Sequence, residues 1–244
     1  MKAIVLCAGR GTRLGSLTET RPKAMLSVAG RPILEHAINN LARQGIRDIG
    51  INLWYRGNAI ESYFGDGRPW GTSLYYVWEN SLSGTAGALR GFREFLTRES
   101  SFLVIYGDIV TDELFEPLSE AHERTRATVT MMVHRRPEGS NSVVSFERNG
   151  LVTEFRERPE TEGRCPFDSW VNSGIYLVSA GLLSEIPATG AVDFPKDLFP
   201  GLLARRELYA MPIAGYRCAI DSPERLEQVR TELPASISSI GARA

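Results

Sequence analysis

The sequence predicts an α/β fold: a Rossmann-like, mixed and mostly parallel sheet with helices on both faces, plus a small β-rich insertion. Two observations in the first half predict the sheet, since apolar runs of strand length alternate with stretches of helical periodicity. A third observation predicts the insertion, because the second half changes to short strand-like segments joined by turn residues. In such folds ligands bind at the carboxyl ends of the parallel strands, so the loops there are candidate sites.

The first half of the chain begins with KAIVLC (2–7), a continuous apolar run typical of a strand buried on both faces. A helix is predicted from Pro32, which suits a first helical turn, to Gly45, which suits a C-terminal cap. The segment DIGINLW (48–54) places apolar residues at alternate positions and predicts a second strand. Further strands are predicted at 73–78 and 102–106, and further helices near 57–64, 85–97 and 113–124.

The second half predicts a β-hairpin, VVSFE and LVTEF joined by Arg148-Asn149-Gly150, because Asn-Gly tolerates the positive φ angles of a tight turn. Three more strands are predicted in WVNSGIYLV (170–178), ELYAMPI (207–213) and YRCAI (216–220), and helices near 180–186, 195–205 and from Pro223 onwards. No internal repeat is evident. We therefore predict one domain over residues 1–233 and a flexible tail over 234–244, where small residues show no amphipathic pattern.

Composition argues against several function classes. The 28 Lys and Arg residues balance 29 Asp and Glu residues among 244, so a formal net charge of −1 gives no general attraction to nucleic acid or membranes. Cys7, Cys165 and Cys218 are far apart and lack metal-ligand spacing, which argues against a disulfide framework and a zinc site. The apolar run after Lys2 is too short for a signal peptide, and no later stretch could span a bilayer. We expect a cytoplasmic protein.

A glycine-containing loop follows the first predicted strand, in the segment LCAGRGTRLGSLTETRPKAML (6–26). Glycines after a strand let backbone N–H groups approach a phosphate, and Arg13 and Lys23 add positive charge. A dinucleotide-binding fingerprint would need glycine where Leu14 stands, and no Gly-Lys-Ser/Thr closes the loop as in a P-loop. Two interpretations stay open from these residues alone: a tight turn with solvated surface cations, or a site for a strongly anionic ligand.

Extended over GRGTRLGSLTETRPKAMLSVAGRPILEHAINNL (9–41), this loop resembles the N-terminal signature of the sugar-1-phosphate nucleotidyltransferases. Ser16 stands where the family usually has proline, a change that affects loop stiffness more than chemistry. The resemblance implies that Lys23 bridges the two reacting phosphates and that Arg13 stabilises charge on the leaving pyrophosphate. It also implies that the NTP binds the loop at Ala8, Gly9, Gly11, Thr12 and Arg13.

A second segment, ENSLSGTAGAL (79–89), is similar to the family's second nucleotide-binding motif, although Leu82 and Ser83 replace Pro-Leu. The resemblance implies that Glu79, Gly84 and Thr85 lie beside the base and the ribose. Thr85 also suits the N-cap of the helix predicted to follow, and one turn can provide both a cap and a ligand contact.

Two acidic residues are candidate metal ligands. VIYGDIV (104–110) resembles the family's strand ending in Gly-Asp, which implies that Asp108 binds Mg²⁺. CAIDSPERL (218–226) resembles a later motif in which an acid four residues before the proline completes the metal site; here that residue is Ala219. Asp221 lies two residues on, on the same side of an extended strand, so we assign it the metal role. The alternatives are helix caps, by Asp108 for the next helix and by Asp221 for the last.

Sugar contacts are predicted in the second half of the chain. FRERP (155–159) and VNSGIYLV (171–178) resemble family segments that face the sugar. The resemblance implies that the sugar hydroxyls contact Glu157, Asn172 and Gly174. Arg158 replaces a lysine there and changes the donor geometry. Asp193, in DFPKDLFPGLL, either contributes to the acceptor pocket or is an acid at a helix N-terminus. Trp170 either stacks on a ligand or packs as a core aromatic.

The resemblance implies an enzyme that transfers NMP from an NTP to a sugar 1-phosphate, with Mg²⁺ as cofactor, releasing pyrophosphate and forming an NDP-sugar. GTP with a mannose- or heptose-like phosphate is favoured by the GTAGAL segment. Two alternatives stay open: a cytidylyltransferase for a non-sugar phosphate such as phosphocholine, and a non-catalytic regulator that binds nucleotide sugar, which Ala219 suggests. The expected partners are the NTP and the sugar 1-phosphate, without nucleic acid or membrane, and homo-oligomerisation is left open.

Overall fold

The structure, a computed structural model, describes residues 1–135, 142–157 and 169–238. Its strands, in chain order, are β1 (Ala3–Leu6), β2 (Ser27–Val28), β3 (Arg31–Pro32), β4 (Asp48–Leu53), β5 (Ser73–Trp78), β6 (Ser101–Tyr106), β7 (Ile109–Thr111), β8 (Val129–Arg135), β9 (Val143–Phe146), β10 (Val152–Arg156), β11 (Trp170–Ser179), β12 (Leu208–Pro212) and β13 (Arg217–Ala219). Its α-helices are α1 (Ile33–Arg43), α2 (Asn58–Phe64), α3 (Glu116–Thr125), α4 (Phe199–Ala204), α5 (Pro223–Glu232) and α6 (Ala235–Ser238).

The chain forms two compact units. The first comprises Met1–Leu82, Ile105–Leu114 and the chain from Ala214 onwards, and the second comprises Ser83–Val104 and Phe115–Ile213. The fold class is α/β with a mixed sheet, as the sequence predicts, and parallel strand pairs occur in both units. The single domain over residues 1–233 stays a prediction. Within the described ranges, no helix is both long enough and apolar enough to cross a membrane.

The first unit is built on the parallel strands β1, β4 and β5, with Ala3 opposite Ile49 and Asp48 opposite Ser73. Helix α1 ends as predicted, since Gly45 adopts a φ of 76° and the N–H of Ile46 donates to the Leu41 carbonyl at 3.0 Å. Because β1 and β4 run parallel, the loops that follow them leave the sheet at the same edge.

A second small sheet and an apolar cluster complete the first unit. Strand β13 pairs antiparallel with β7, and Ala219 lies opposite Ile109. The cluster joins the loop after β1 to the C-terminal helices through the side chains of Leu14, Leu26, Val28, Ile33, Val110, Cys218, Ile220, Leu226, Val229 and Ile237. Since Leu14 and Ile220 pack in the same cluster, their neighbours Arg13 and Asp221 are brought close together.

The second unit is dominated by strands. Strand β11 pairs antiparallel with β8 and with β9, β12 pairs parallel with β8, and β9 and β10 form the predicted hairpin. The register between β11 and β8 shifts between Asn172 and Tyr176, which marks a β-bulge at the predicted sugar segment.

Several sequence predictions differ from the structure. The helix predicted at 85–97 is a short 3-10 helix, Gly87–Phe92, because glycines in TAGALRG disfavour a regular α-helix. The helix predicted at 180–186 is likewise a 3-10 helix, Ala180–Ser184. The helix predicted at 195–205 divides into a π-helical turn, Phe194–Leu198, and α4, where Pro195 and Pro200 interrupt regular hydrogen bonding. Strand β8 was not predicted, although Val129, Thr130 and Val133 are β-branched.

A helical turn lies at the start of the predicted flexible tail, whose flexibility stays a prediction. Residues Ala235–Ser238 form α6, and Ile237 is 1% exposed. Burying an isoleucine side chain contributes roughly 1.5–3 kcal/mol, which favours packing of this turn against the unit. The hydroxyl of Ser236 also donates to Asp112 at 2.6 Å. Residues 239–244 of this prediction lie outside the described residues.

Candidate functional site

The loop after β1 has its shape fixed at Gly11. This residue adopts a φ of 67°, and a Cβ there would lie 3.1 Å from Lys23 Cβ and 3.2 Å from Thr18 Cγ2. The Thr18 hydroxyl contacts the carbonyls of Gly11 and Gly15 at 3.1 and 3.2 Å. Gly9, in contrast, is exposed, and a Cβ there would meet no atom within 4 Å. The loop therefore packs against Lys23 on one side and is open to solvent at Gly9.

The Gly-Asp pair after β6 brings Asp108 to the end of β1. The N–H of Gly107 donates to the Leu6 carbonyl at 2.9 Å. A Cβ at position 107 would lie 2.8 Å from that carbonyl oxygen and would overlap the Cys7 sulfur, so only glycine allows this approach. Lys23 Nζ donates to Asp108 Oδ2, and the two side chains are 15% and 21% exposed. One predicted catalytic cation thus forms a half-buried ion pair with one predicted metal ligand.

The other predicted cation pairs with the other predicted metal ligand. Arg13 Nη1 lies 2.7 Å from Asp221 Oδ2. The backbone holds Asp221 near Asp108, since the N–H of Ile220 donates to the Asp108 carbonyl at 2.9 Å. The four residues Arg13, Lys23, Asp108 and Asp221 therefore meet in the first unit, as the resemblance implies.

Both helix-cap alternatives for the acidic residues are wrong. The residue after Asp108 begins strand β7, not a helix. Helix α5 is capped by Ser222, whose hydroxyl accepts a hydrogen bond from the N–H of Arg225 at 3.3 Å. The carboxylate of Asp221 pairs with Arg13 instead.

Arg217 is a residue of this site that the sequence analysis missed. Burial lowers the pKa of the Arg217 guanidinium, while the carboxylates of Asp108 and Asp221 act in the opposite direction. The sequence signal for Arg217 was a cation within the strand that precedes Asp221.

Cys7 lies beside the Asp108 carboxylate. Burial, followed by the nearby charge of Asp108, raises the pKa of the Cys7 thiol. The thiol therefore stays neutral and unreactive.

Asn52 links the predicted base-binding residue to the loop. Its side-chain oxygen accepts from the N–H of Cys7 at 2.7 Å, and its side-chain nitrogen donates to Glu79 Oε1 at 2.6 Å. Asn52 is 4% exposed, so these bonds form away from bulk water and fix the Glu79 carboxylate. No local motif in the sequence predicts this role for Asn52.

In the second unit, the predicted nucleotide residue Thr85 is bonded to Asp193. Asp193 Oδ1 accepts hydrogen bonds from the Thr85 N–H and hydroxyl, both at 3.0 Å, and the N–H of Phe194 donates to that hydroxyl at 3.0 Å. Thr85 is therefore not the predicted helix cap. Gly84 adopts a φ of 80°, and a Cβ there would lie 2.7 Å from the Val192 carbonyl carbon. The Asp193 carboxylate, directly before the helical turn Phe194–Leu198, therefore fixes the backbone and side chain of Thr85.

Replacing Asp193 with alanine is expected to lower the free energy of unfolding by about 1–3 kcal/mol, because two donors of Thr85 lose their acceptor. Urea unfolding of Asp193→Ala, Thr85→Val and the double variant should give a coupling energy of about 1 kcal/mol. Asp193→Asn keeps an oxygen acceptor and should recover part of the loss. Strictly additive effects of the two single substitutions would contradict this assignment.

The predicted sugar-binding residues Asn172 and Gly174 lie at the bulge of β11. The Asn172 amide donates to the Tyr176 hydroxyl at 2.8 Å, and its oxygen accepts from the N–H of Gly174 at 3.0 Å. These bonds, with a φ of 74° at Gly174, stabilise the bulge. Glu157 follows β10, whereas Arg158 lies outside the described residues.

Trp170 packs against two neighbouring side chains. The centroid of its ring lies 5.9 Å from that of Phe146, and the Arg135 guanidinium carbon lies 4.1 Å from the Trp170 ring centroid.

Asp108 and Asp221 have the donor chemistry that suits Mg²⁺. Within the described ranges, no group of three or more His, Cys, Asp or Glu residues could hold a metal ion. Mg²⁺ bound with nucleotides, however, uses one or two carboxylates together with waters and phosphates. Two hard oxygen donors fit that pattern and would not suit a softer metal.

Comparisons with known proteins find similar chains. The family model for nucleotidyl transferases matches residues 2–216. The chain is 31% identical over 216 residues to a UTP–glucose-1-phosphate uridylyltransferase of Synechocystis sp., covering 83% of the chain and 55% of that protein. It is 30% identical over 240 residues to a mannose-1-phosphate guanylyltransferase of Mycobacterium tuberculosis, covering 97% and 65%. The chain therefore spans between about half and two thirds of the length of these curated relatives.

A solved structure shows the same fold. A protein described as a glucose-1-phosphate thymidylyltransferase from Bacillus anthracis superimposes with a TM-score of 0.85, at 23% identity, over 100% of this chain and 98% of that one.

Proposed function

This chain belongs to the nucleotidyl transferase family, and we propose that it transfers NMP from an NTP to a sugar 1-phosphate, forming an NDP-sugar and pyrophosphate. The observation that carries the proposal is the meeting of Arg13 and Lys23 with Asp108 and Asp221 beside the loop after β1. We favour GTP with a mannose- or heptose-like phosphate. The guanylyltransferase relative supports this choice, and the uridylyltransferase relative makes UTP the main competitor.

The reaction needs little covalent help from the protein. A phosphate oxygen of the sugar 1-phosphate attacks the α-phosphorus in line, the bond from that phosphorus to the β-phosphate oxygen breaks, and pyrophosphate leaves with the electron pair. The attacking oxygen is already anionic, so no protein nucleophile is required. The protein instead aligns two polyanions that repel each other and neutralises their charge.

The chain's own residues supply alignment and charge in this proposal. Backbone N–H groups from Gly9 to Thr12 hold the NTP phosphates, and Arg13 neutralises charge on the leaving pyrophosphate. Lys23 reaches both reacting phosphates, while Asn52 keeps the Glu79 carboxylate oriented toward the nucleoside. Asp108 and Asp221 would hold Mg²⁺, which when bound spreads the negative charge of the α-phosphate.

A panel of substrates tests the proposed function. Pyrophosphate release is measured for ATP, CTP, GTP, UTP and dTTP, each with mannose 1-phosphate, glucose 1-phosphate, a heptose 1-phosphate and phosphocholine. The proposal expects release that requires both an NTP and a sugar 1-phosphate. Release with CTP and phosphocholine alone would establish the cytidylyltransferase alternative, and tight NDP-sugar binding without any release would establish the regulator.

Substitutions at two neighbouring residues separate catalysis from capping. Asp221→Ala is expected to lower kcat and raise the Mg²⁺ concentration needed for half-maximal activity, with little change in Tm, because its carboxylate pairs with an exposed Arg13. Ser222→Ala should keep kcat and the Mg²⁺ requirement near those of the wild type. It should lose about 1 kcal/mol of stability, since it removes the cap of α5.

Activity across a Mg²⁺ titration and thermal melts of both variants check this pair. Ala219→Asp in the Asp221→Asn background should partly restore activity, because residue 219 lies on the same side of the extended chain. Normal metal response in Asp221→Ala would leave Asp108 as the sole protein ligand we can name.

A further inference from the structure

Two arginines face one tyrosine ring beside the loop after β1. The guanidinium carbon of Arg10 lies 5.2 Å from the centroid of the Tyr55 ring, and that of Arg56 lies 5.5 Å from the same centroid. Arg56 Nε also donates to the Tyr55 hydroxyl at 3.2 Å. That hydroxyl donates to the Glu19 carbonyl at 3.0 Å, so the ring has a fixed position. Both guanidinium groups lie within cation–π distance of it.

The fold places this group at the edge of the sheet where the site lies. Arg10 is the residue between Gly9 and Gly11, after β1, while Tyr55 and Arg56 follow β4, the parallel neighbour of β1. Arg56 adopts a φ of 51°, which is uncommon for a residue other than glycine. Backbone strain of this kind is retained where the surrounding structure or function requires it.

Among the described residues, Arg10 and Arg56 differ in their ion pairing from Arg13 and Lys23. Arg13 and Lys23 each pair with a carboxylate. In the part of the chain that the structure describes, neither Arg10 nor Arg56 has a carboxylate within ion-pair distance. The two guanidinium groups also share one ring, so they lie within about one Debye length of each other at moderate ionic strength. Their repulsion would be relieved by an anion that binds both.

We propose that Arg10 and Arg56, positioned by Tyr55, form an anion subsite for the pyrophosphate part of the NTP, that is, its β- and γ-phosphates. The assignment of the anion rests on the proposed function. Guanidinium groups bind phosphate oxygens with paired hydrogen bonds, and two of them match an anion whose charge is spread over two phosphates. Arg10 is exposed and follows Gly9, which is also exposed and has open space beside it. The Arg10 side chain is therefore accessible to such a ligand. Tyr55 is a positioning residue.

Direct binding of inorganic pyrophosphate tests the subsite without turnover. Isothermal titration of the full chain is compared for the wild type, Arg10→Gln, Arg56→Gln and the double variant. Each single substitution is expected to weaken pyrophosphate binding by about tenfold, since one charged hydrogen-bonding group is lost. Arg21→Gln, which removes an exposed arginine of the same segment, is the matched control and should change the dissociation constant less than twofold. Pyrophosphate should also raise the Tm of the wild type more than that of the double variant.

Variants at Tyr55 test its positioning role. Tyr55→Leu removes the ring and should weaken pyrophosphate binding nearly as much as Arg10→Gln, whereas Tyr55→Phe keeps the ring and should retain most of the binding. In turnover assays, Arg10→Gln and Arg56→Gln should raise the KM for the NTP and leave the KM for the sugar 1-phosphate unchanged. A purely structural role would lower Tm without this split.

The outcomes separate this inference from the proposed function. Wild-type-like pyrophosphate binding by both arginine variants would overturn the subsite, even if the enzyme turns over normally. Wild-type protein that binds pyrophosphate through Arg10 and Arg56 but releases none from any NTP and sugar phosphate would overturn the proposed function and support the anion site alone.

Discussion

Lys23→Ala is expected to lower kcat by about 100-fold or more while the protein stays folded. Removing one preorganised group that stabilises developing charge typically costs about 3–4 kcal/mol of transition-state stabilisation. Lys23 is well placed for this role, because its side chain is only 15% exposed and its ammonium group contacts Asp108 beside the end of β1. Because water has little access to the ammonium group, its interaction with a phosphate is weakly screened.

Steady-state kinetics of Lys23→Ala, with thermal melts to confirm folding, measure this effect. Lys196→Ala is the matched control, since it removes an exposed lysine of the second unit and should keep normal turnover. A folded Lys23→Ala protein with near-native kcat would remove Lys23 from the mechanism.

Asp108→Asn is expected to have an effect of similar size, because it keeps the shape of the side chain and removes its charge. The variant loses the ion pair with Lys23 and one of two carboxylates that suit Mg²⁺. We expect kcat to fall by about 100-fold and the Mg²⁺ requirement to rise, with chelation by EDTA producing the same loss in the wild type.

Activity of Asp108→Asn across a Mg²⁺ titration checks this prediction. Asp48→Asn, at the exposed start of β4, is the matched control and should respond to Mg²⁺ as the wild type does. Full activity of Asp108→Asn at ordinary Mg²⁺ concentrations would place the metal-dependent step elsewhere in the molecule.

The loop residues of the candidate site could be predicted because they stand in short local motifs. Gly11, Lys23 and the Gly107-Asp108 pair each stand in a short motif, and the structure gives each glycine a steric reason. The pairing of Arg13 with Asp221 could not be predicted with the same ease, because these residues are 208 positions apart. Their contact depends on an apolar cluster and on the pairing of β13 with β7, which no local pattern reveals.

The second unit shows the same limit. A threonine before a helix predicts a cap, but the Thr85 hydroxyl bonds to Asp193, which lies 108 residues away. Likewise, no sequence pattern predicts the grouping of Tyr55, Arg10 and Arg56, since a tyrosine and exposed arginines are common in loops. Only the parallel pairing of β1 with β4 brings these side chains together.

The reverse reaction tests the central claim most directly. Radiolabelled pyrophosphate is incubated with the enzyme, Mg²⁺ and unlabelled GDP-mannose, UDP-glucose or dTDP-glucose, and labelled NTP is separated and counted. A direct displacement predicts labelled NTP that appears only when an NDP-sugar is present, with equal formation of sugar 1-phosphate. Absence of labelled NTP with every NDP-sugar would contradict nucleotidyl transfer to a sugar phosphate. Labelling of an added NTP without any sugar compound would contradict direct displacement, because it requires a nucleotidyl-enzyme intermediate.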